Sequence, residues 1–426
     1  MTLVIEKAQP GVDRLRHSLV SQVASKIFQL LVSIGIGGWT ARYLGPTALG
    51  KLSYVSSLVA MLAPLGSLGV MGSLSALLRA TNPLPGLVSS AFCIELIGTL
   101  LIAAVITPFA ILSRDSLVVG LFALAVAGNL FNSVEVLEAD LFNRHQGVTV
   151  ARVGLMQALA VGIFSALALL MQAPVIIFGT IQLLQAVVKA FLLFLNLGFL
   201  SIGRWLSSVS LGTVKILIER GRPLMLSGFA IVIYMKSDLV MLEWLSGSSA
   251  VGKYSVAVRV AESLYFLPLV LSQTFLPRLT PEVSGQSFNK SLSKPLKQLY
   301  QTSWMLGVSM TLATAIILPS LLLLVFGQQY QESVQALQFL APAGFAVAIG
   351  CASGAWLNLN NYADIIFGRT LLGAAVNIIL NLILIPKYGI SGAAIATSAS
   401  QLIAANLQET LDSRTRINHR FLLFPF

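Results

Sequence analysis

The sequence predicts an all-α membrane protein of about twelve transmembrane helices, arranged as two six-helix lobes that are related by an internal repeat. Of the 426 residues, 56% are hydrophobic and only 10% are charged, and the mean hydropathy is +0.85. Such a composition is typical of a chain whose solvent is lipid. Residues 45–53 (GPTALGKLS) return as residues 247–255 (GSSAVGKYS), and each copy joins two long apolar segments. The alternative is that this pattern is only a favoured turn between helices.

Apolar segments of membrane length recur from end to end, and each is expected to be a helix because a backbone in hydrocarbon must satisfy its own hydrogen bonds. The first lobe has spans at 19–40, 52–71, 87–112, 117–137, 153–171 and 175–197. The second has spans at 224–245, 254–276, 299–325, 334–357, 365–385 and 390–407. The predicted domains are an N-terminal lobe at 1–200, a cytoplasmic linker at 201–223, a C-terminal lobe at 224–410 and a cytoplasmic tail at 411–426.

The basic residues indicate the orientation of the chain. An even number of spans places both termini on one side, and most Lys and Arg residues fall on that side. The few on the opposite side are Arg42, Lys51, Arg114, Lys253 and Lys387. Because cytoplasmic loops are enriched in Lys and Arg, both termini are predicted to be cytoplasmic. The net charge of +11 is then a topology signal, and no nucleic-acid partner is expected. The first apolar segment is too long for a cleaved signal peptide and is expected to remain as the first span.

Repeated halves set in membrane-length spans are the usual architecture of a transporter, and no enzymatic motif competes with this interpretation. The sequence has no P-loop, no zinc-protease His pair and no dinucleotide fingerprint. His17, His145 and His419 fall in predicted cytoplasmic segments, and Cys93 and Cys351 fall in predicted helices. We therefore expect no cofactor, no metal site and no catalytic residues.

Polar side chains at helical spacing mark two spans of the first lobe. The first span carries Ser18, Gln22, Lys26, Gln29 and Ser33. The sixth carries Gln182, Gln185, Lys189 and Asn196. A lysine at the bilayer centre costs about 3 kcal/mol, so both stripes predict protein partners or a wet cavity. The alternative is that each lysine reaches to the inner interface along its apolar stem.

Acidic residues of the first lobe fall into two groups. Glu95 is alone within the third span, which makes it a candidate counter-ion or protonatable coupling residue. Glu135, Glu138 and Asp140 lie near Arg144 at the inner end of the fourth span. These three are expected to be solvated at a helix end.

The second lobe has charges toward its outer half, at Lys236, Asp238, Arg259 and Glu262. Arg259 and Glu262 are at a spacing that lets them meet on one helical face, as are Tyr234 and Asp238. A structural ion-pair network and a role in coupling are both open.

Two further features of the second lobe concern its last two spans. Asn377 and Asn381 are candidates for sugar contact, with interhelical hydrogen bonding as the alternative. The last span is rich in Gly, Ala and Ser and is expected only to pack closely.

A proline follows each copy of the repeat, Pro64 in the first half and Pro268 in the second. Proline removes a backbone hydrogen bond and allows a helix to bend, so these residues are predicted hinges. The alternative is that each is a static kink.

Three blocks carry a family resemblance: residues 41–46 (ARYLGP) with 50–53 (GKLS), residues 237–242 (SDLVML) with 251–255 (VGKYS), and residues 384–397 (LIPKYGISGAAIAT). In this order they resemble the polysaccharide-transporter branch, which includes oligosaccharide flippases, of the multidrug/oligosaccharidyl-lipid/polysaccharide exporter superfamily. The resemblance covers nearly the whole chain. Many relatives have about fourteen helices, so the last pair is missing here.

The resemblance implies two bundles around a central cavity that opens alternately to either side of a bacterial inner membrane. The implied cargo is an undecaprenyl-pyrophosphate-linked oligosaccharide, such as an O-antigen repeat unit of lipopolysaccharide, and the implied partners are that lipid, membrane lipids and other polysaccharide assembly proteins. Basic cavity residues of the family meet the anionic headgroup, a role carried here to Lys26, Lys189 and Arg259, with Gln22, Gln29, Gln182 and Gln185 beside them. The alternatives are a cation-coupled multidrug exporter of the same superfamily and a membrane-embedded polysaccharide polymerase or ligase.

Overall fold

A computed structural model describes residues 12–78, 84, 86–112, 115–144, 146–197, 202–283, 294–360, 362–411 and 415. Within these residues every regular element is helical, which confirms the all-α class. The first eight helices are α1 (Val12–Ser67), α2 (Val70–Leu78), α3 (Leu87–Leu112), α4 (Ser116–Asn132), α5 (Glu135–Asn143), α6 (Gly147–Leu170), α7 (Val175–Leu197) and α8 (Ile202–Ser207). The others are α9 (Leu211–Ser246), α10 (Ser248–Glu262), α11 (Phe266–Val283), α12 (Lys294–Leu312), α13 (Leu318–Phe326), α14 (Gln331–Leu359) and α15 (Ala363–Leu411).

The helices account for the predicted spans. The described residues hold 10 helical segments that are long and apolar enough to cross a membrane. Two of these segments contain a non-helical glycine, Gly45 in α1 and Gly389 in α15, so each comprises two of the twelve predicted spans. Large apolar side chains remain exposed along the helices, with Leu112 at 76% and Leu324 at 72%. Such surfaces suit contact with lipid, and the protein is a multi-pass membrane protein.

The two copies of the repeat have the same backbone. Gly45 has φ 72° and ψ 170°, and Gly247 has φ 80° and ψ 171°. Glycine adopts a positive φ without the steric penalty that a Cβ imposes. Each copy therefore ends one helix and starts the next through the same glycine-dependent turn, as the internal repeat predicts.

The chain packs as two compact units, residues 1–37 with 62–226 and residues 38–61 with 227–426. The predicted lobes differ from these units, because Gly38–Met61 belongs to the second unit. The reason is its core contacts, in which Ala41 and Leu49 are buried with Tyr254 and Tyr330.

The segment predicted as a linker, residues 201–223, is largely helical, since it holds α8 and the beginning of α9. Leu217 of α9 is fully buried in a core of the first unit with Leu74 and Val136. The linker prediction rested on the position of this segment between two apolar spans and on its basic residues, and its cytoplasmic location stays a prediction.

Several predicted spans are interrupted by a break in the helix. Pro64 comes before the break in its span, whereas Pro268 comes after it. After Pro64, the chain leaves the helix at Leu68 (φ 48°) and Gly69 (φ 71°) before α2 begins. In the second unit the break between α10 and α11 precedes Pro268, because α11 already begins at Phe266. The interruption between α4 and α5 involves no proline. A hinge function of either proline stays a prediction.

Candidate functional site

An ion-pair cluster lies in the first unit between α5 and α7. The Lys189 ammonium donates a hydrogen bond to Glu135 Oε1 at 2.8 Å and lies 3.3 Å from Glu138 Oε1. The Lys189 side chain is 15% exposed, while Glu135 is 45% and Glu138 24% exposed. Lys189 is therefore held by two carboxylates, rather than standing free or reaching to an interface.

The expectation that Glu135, Glu138 and Asp140 are solvated at a helix end is wrong for Glu138 and Asp140, whose side chains are 24% and 13% exposed, whereas Glu135 is 45% exposed. The fourth predicted span breaks after Asn132, and α5 begins at Glu135, so that the first turn of α5 carries both carboxylates to the Lys189 ammonium. Asp140 is buried and pairs instead with the exposed Arg144 at 2.8 Å. The one sign of this cluster in the sequence is the spacing of Glu135 and Glu138, which lie about one helical turn apart and so share a helix face.

Lys26 and Glu95 extend this cluster electrostatically. The charge of the exposed Lys26 attracts the Glu138 carboxylate through space, and the charge of Glu135 repels the Glu95 carboxylate. Glu95 is partly buried in α3, and its Oε1 atom is buried with no hydrogen-bond partner. An unpaired buried carboxylate oxygen is expensive in a membrane span, which marks Glu95 as a functional candidate.

The glutamines do not share one environment. Gln29 donates to Ser25 Oγ at 3.0 Å, and Ser25 donates to the Ala151 carbonyl at 3.0 Å, so this part of the first polar stripe contacts α6. Gln182 and Gln185 are exposed. The Gln22 side chain lies outside the described residues.

The second unit contains a buried polar network centred on Asp238. Its carboxylate accepts hydrogen bonds from Tyr254 Oη at 2.7 Å, the Leu239 amide at 2.8 Å and Thr397 Oγ1 at 3.2 Å. Asp238 is 2% exposed. Three helices thus supply neutral donors to one buried carboxylate. Each hydrogen bond to a charged group can stabilise it by about 1.5 to 3 kcal/mol.

Asn377 and Asn381 belong to the same network. Asn377 Oδ1 accepts from Ser237 Oγ at 3.0 Å and from Asn381 Nδ2 at 2.9 Å. Both asparagines are fully buried, which favours interhelical hydrogen bonding over sugar contact in this conformation. Thr397 and Ser400 also join the network through Asn377 Nδ2, so the last span carries polar contacts that its expected role as a packing surface left out.

The other charges of the second unit include an ion pair between the seventh and eighth predicted spans, one of the two alternatives left open by the sequence, although Arg259 and Glu262 do not pair. Glu262 lies 3.8 Å from Lys236, which makes an ion pair between α9 and α10. Arg259 is exposed and interacts with Glu262 only through the electrostatic field. A role of Arg259 toward an anionic headgroup stays a prediction. No group of three or more His, Cys, Asp or Glu side chains that could hold a metal ion occurs among the described residues.

Comparisons with known proteins place this geometry in context. A family model described as polysaccharide biosynthesis protein matches residues 17–281. An uncharacterized membrane protein of Methanocaldococcus jannaschii is 25% identical over 161 residues, which cover 38% of this chain and 32% of that protein. Agl15 of Haloferax volcanii, a probable low-salt glycan biosynthesis flippase, is 23% identical over 167 residues, which cover 39% and 35%. The matched stretch thus spans about a third of the length of these relatives.

Solved structures share the fold at low sequence identity. The lipid II flippase MurJ in an inward closed conformation superposes with a TM-score of 0.70 at 16% identity, over 96% of this chain and 90% of that chain. An inward-facing multidrug resistance transporter of the MATE family superposes with a TM-score of 0.68 at 16% identity, over 93% and 98%. These neighbours show the helical fold and leave the cargo open.

Proposed function

The chain belongs to the polysaccharide biosynthesis protein family, which confirms the resemblance found in its sequence, and on this premise we propose that it is a flippase for a lipid-linked oligosaccharide. The family match over residues 17–281 carries the proposal. The similarity to Agl15, a probable glycan biosynthesis flippase, supports the same class of cargo. No catalytic role is proposed for any residue.

The physical need for such a protein is clear. A phosphate group and a row of sugar hydroxyls cannot cross about 30 Å of hydrocarbon unaided. The first-unit residues proposed for the headgroup are Lys26, Lys189, Gln182 and Gln185. The role that the resemblance implied for Arg259 of the second unit is a separate proposal.

The proposal keeps the narrower features that the resemblance implied. The cargo is an undecaprenyl-pyrophosphate-linked repeat unit, such as that of O-antigen, the location is a bacterial inner membrane with both termini cytoplasmic, and other polysaccharide assembly proteins are the partners. Transport proceeds by alternating access, with Pro64 and Pro268 as bending points. Glu95, Asp238, Lys236 and Glu262 are the residues proposed for coupling or for ion pairs that change during transport.

A flipping assay tests the proposal. Proteoliposomes would carry a fluorescent prenyl-pyrophosphate-linked oligosaccharide, and a membrane-impermeant quencher would measure the fraction in each leaflet over time. We expect the protein to speed exchange between leaflets, and Lys189→Gln to slow it by about tenfold or more, because charge and not shape attracts the headgroup. Lys189→Arg should restore part of the rate.

Lys215→Gln is the matched control. Lys215 lies in the same unit and is 78% exposed beside Glu219 at 4.0 Å, so its loss should leave flipping unchanged. Movement of hydrophobic cationic drugs without any movement of the lipid-linked oligosaccharide would contradict the proposal and favour a multidrug exporter.

A further inference from the structure

An open pocket lies in the second unit, where several predicted spans end. Its volume is about 830 Å³, and its lining includes Arg42, Ser320, Leu324, Gln328 and Gln329. Arg42 follows the first predicted span, and the two glutamines lie between the ninth and the tenth. The volume falls within the range of about 300 to 1,000 Å³ that is usual for small-molecule sites. The pocket is separate from the two polar sites described above.

Contacts with the backbone fix the position of Arg42 in this pocket. Its Nη2 atom donates a hydrogen bond to the Leu324 carbonyl. Its aliphatic stem lies against Gly327, where a Cβ atom would be 3.4 Å from Arg42 Cγ. Gln329 Nε2 in turn donates to the Arg42 carbonyl at 3.0 Å. The guanidinium is thus held at the end of α13.

No neighbouring carboxylate neutralises the Arg42 charge. The part of the chain that the structure describes contains no ion pair of Arg42, and its side chain is exposed. Glu332, in the first turn of α14, is paired with Lys253. Because a guanidinium has five N–H donors, the bond to the Leu324 carbonyl leaves the others for an anion.

Apolar and aromatic side chains place this cation beside lipid. Ile317, Leu321 and Leu324 follow one another at steps that put them on one helix face, and all three are exposed. Trp39 and Tyr43, one turn apart on α1, are also exposed. Trp and Tyr are enriched where a membrane meets water. The pocket therefore lies at the depth of lipid headgroups, with an apolar face that leads away from it into the membrane.

We propose that this pocket binds an anionic phospholipid such as phosphatidylglycerol, with its phosphate at Arg42 and an acyl chain along the exposed face of α13. Gln328 and Ser320, both exposed in the lining, offer hydrogen bonds to the headgroup hydroxyls. A soluble anion would gain nothing from the apolar face, and a zwitterionic lipid would bring its own cation close to Arg42. The ligand is a component of the membrane and not the cargo, so the site goes beyond the proposed function.

Photolabelling in a membrane tests this assignment. The full-length protein would be reconstituted in phosphatidylcholine vesicles with a small fraction of a photoactivatable lipid, either phosphatidylglycerol or phosphatidylcholine with the same diazirine-bearing acyl chain. Mass spectrometry of the labelled peptides would measure the labelling of residues 317–324. Because the two probes differ only in the headgroup, the ratio of their labelling reports headgroup recognition.

We expect phosphatidylglycerol to label residues 317–324 about fivefold more than phosphatidylcholine, which is the effect of one basic residue on an anionic lipid. Arg42→Gln should bring the ratio close to one, and Arg42→Lys should retain much of it. Gln328→Glu adds an anion to the pocket and should also lower the ratio. This residue is exposed just before α14, where an acidic side chain does not destabilise a helix, so the variant guards against a folding defect.

Lys387→Gln is the matched control, because Lys387 is an exposed basic residue of the same unit on the same predicted side of the membrane. Its loss should leave the ratio unchanged. Equal labelling by the two probes overturns the inference. So does a ratio that persists in Arg42→Gln or, should that protein fail to fold, in Gln328→Glu.

Two competitors distinguish other sources of the anion. Glycerophosphoglycerol has the headgroup without acyl chains, and full competition by it would reassign the pocket to soluble anions and overturn the inference. Complete loss of labelling in the presence of farnesyl-pyrophosphate-linked N-acetylglucosamine would reassign the pocket to the cargo, with the same consequence. None of these measurements depends on flipping, so failure of the proposed function would leave them unaffected.

Discussion

The two copies of the repeat cross each other with their backbones in close contact at Gly252. This close crossing gives a quantitative prediction for Gly252→Ala. A Cβ atom on Gly252 would lie 1.8 Å from the Pro46 carbonyl oxygen and 3.0 Å from the Gly50 amide nitrogen. Close C–H···O contacts are about 3.3 Å long, so the methyl group lacks about 1.5 Å of space. Its neighbours are backbone atoms that no rotamer change can move away.

The crossing must therefore open around Gly252, in a region where Val251 and Tyr254 are fully buried. Inserting a methyl group into a packed core costs about 1 to 3 kcal/mol, and the higher helix propensity of alanine returns less than about 1 kcal/mol. We expect a net loss of about 1 to 2 kcal/mol. Thermal unfolding in detergent should then show a midpoint lower by several degrees.

Two glycines provide matched controls for this experiment. Gly35 lies inside α1 with no atom within 4 Å of its would-be Cβ, so Gly35→Ala should be neutral or slightly stabilising. Gly45 has the same open space but a φ of 72°, so Gly45→Ala reports backbone strain alone, at about 1 to 2 kcal/mol. A Gly252→Ala protein as stable as Gly35→Ala would refute the close crossing.

Two other predictions concern the buried network and the topology. Tyr254→Phe removes the 2.7 Å hydrogen bond to Asp238 and should lower the unfolding free energy by about 1 to 3 kcal/mol. Thermal unfolding would measure this loss, with Asp238→Asn measured beside it. An unchanged midpoint in Tyr254→Phe would argue against the bond. Cysteines placed at Pro46 and Ser248 should react with an impermeant maleimide added outside cells, and a cysteine at Ser208 should not, because basic residues favour the cytoplasmic side. The reverse labelling pattern would invert the orientation.

Hydropathy predicted most of the fold because each span must bury its own backbone hydrogen bonds and therefore has a minimum apolar length. The two copies of the repeat also predicted a shared turn, which Gly45 and Gly247 form with nearly equal dihedral angles. The interruption at Ser133 and Val134 had no such signal, since neither residue is a glycine or a proline. Its position became evident only from the helix bounds.

The sites were harder to predict because their partners lie far apart in sequence. Lys189 was recognisable as an unusual residue within a span, but periodicity along α7 contains no information about Glu135 on α5. Asp238 was recognised in the same way, whereas its donors Tyr254 and Thr397 are ordinary residues of other helices. Composition along one helix thus identifies the costly residue, and only the tertiary structure identifies what stabilises it.

The assignment of Gly38–Met61 to the second unit has a consequence for synthesis of the chain. The ribosome delivers this segment long before residues 248–254 and 322–340, which include its eventual partners Ser248, Tyr254 and Tyr330. During membrane insertion, the face of α1 at Gly50 thus lacks its packing partners until the later helices are inserted. Contacts so distant in sequence form late, so a nascent chain that stops at the predicted lobe boundary near residue 200 lacks the packing partners of the Gly38–Met61 segment.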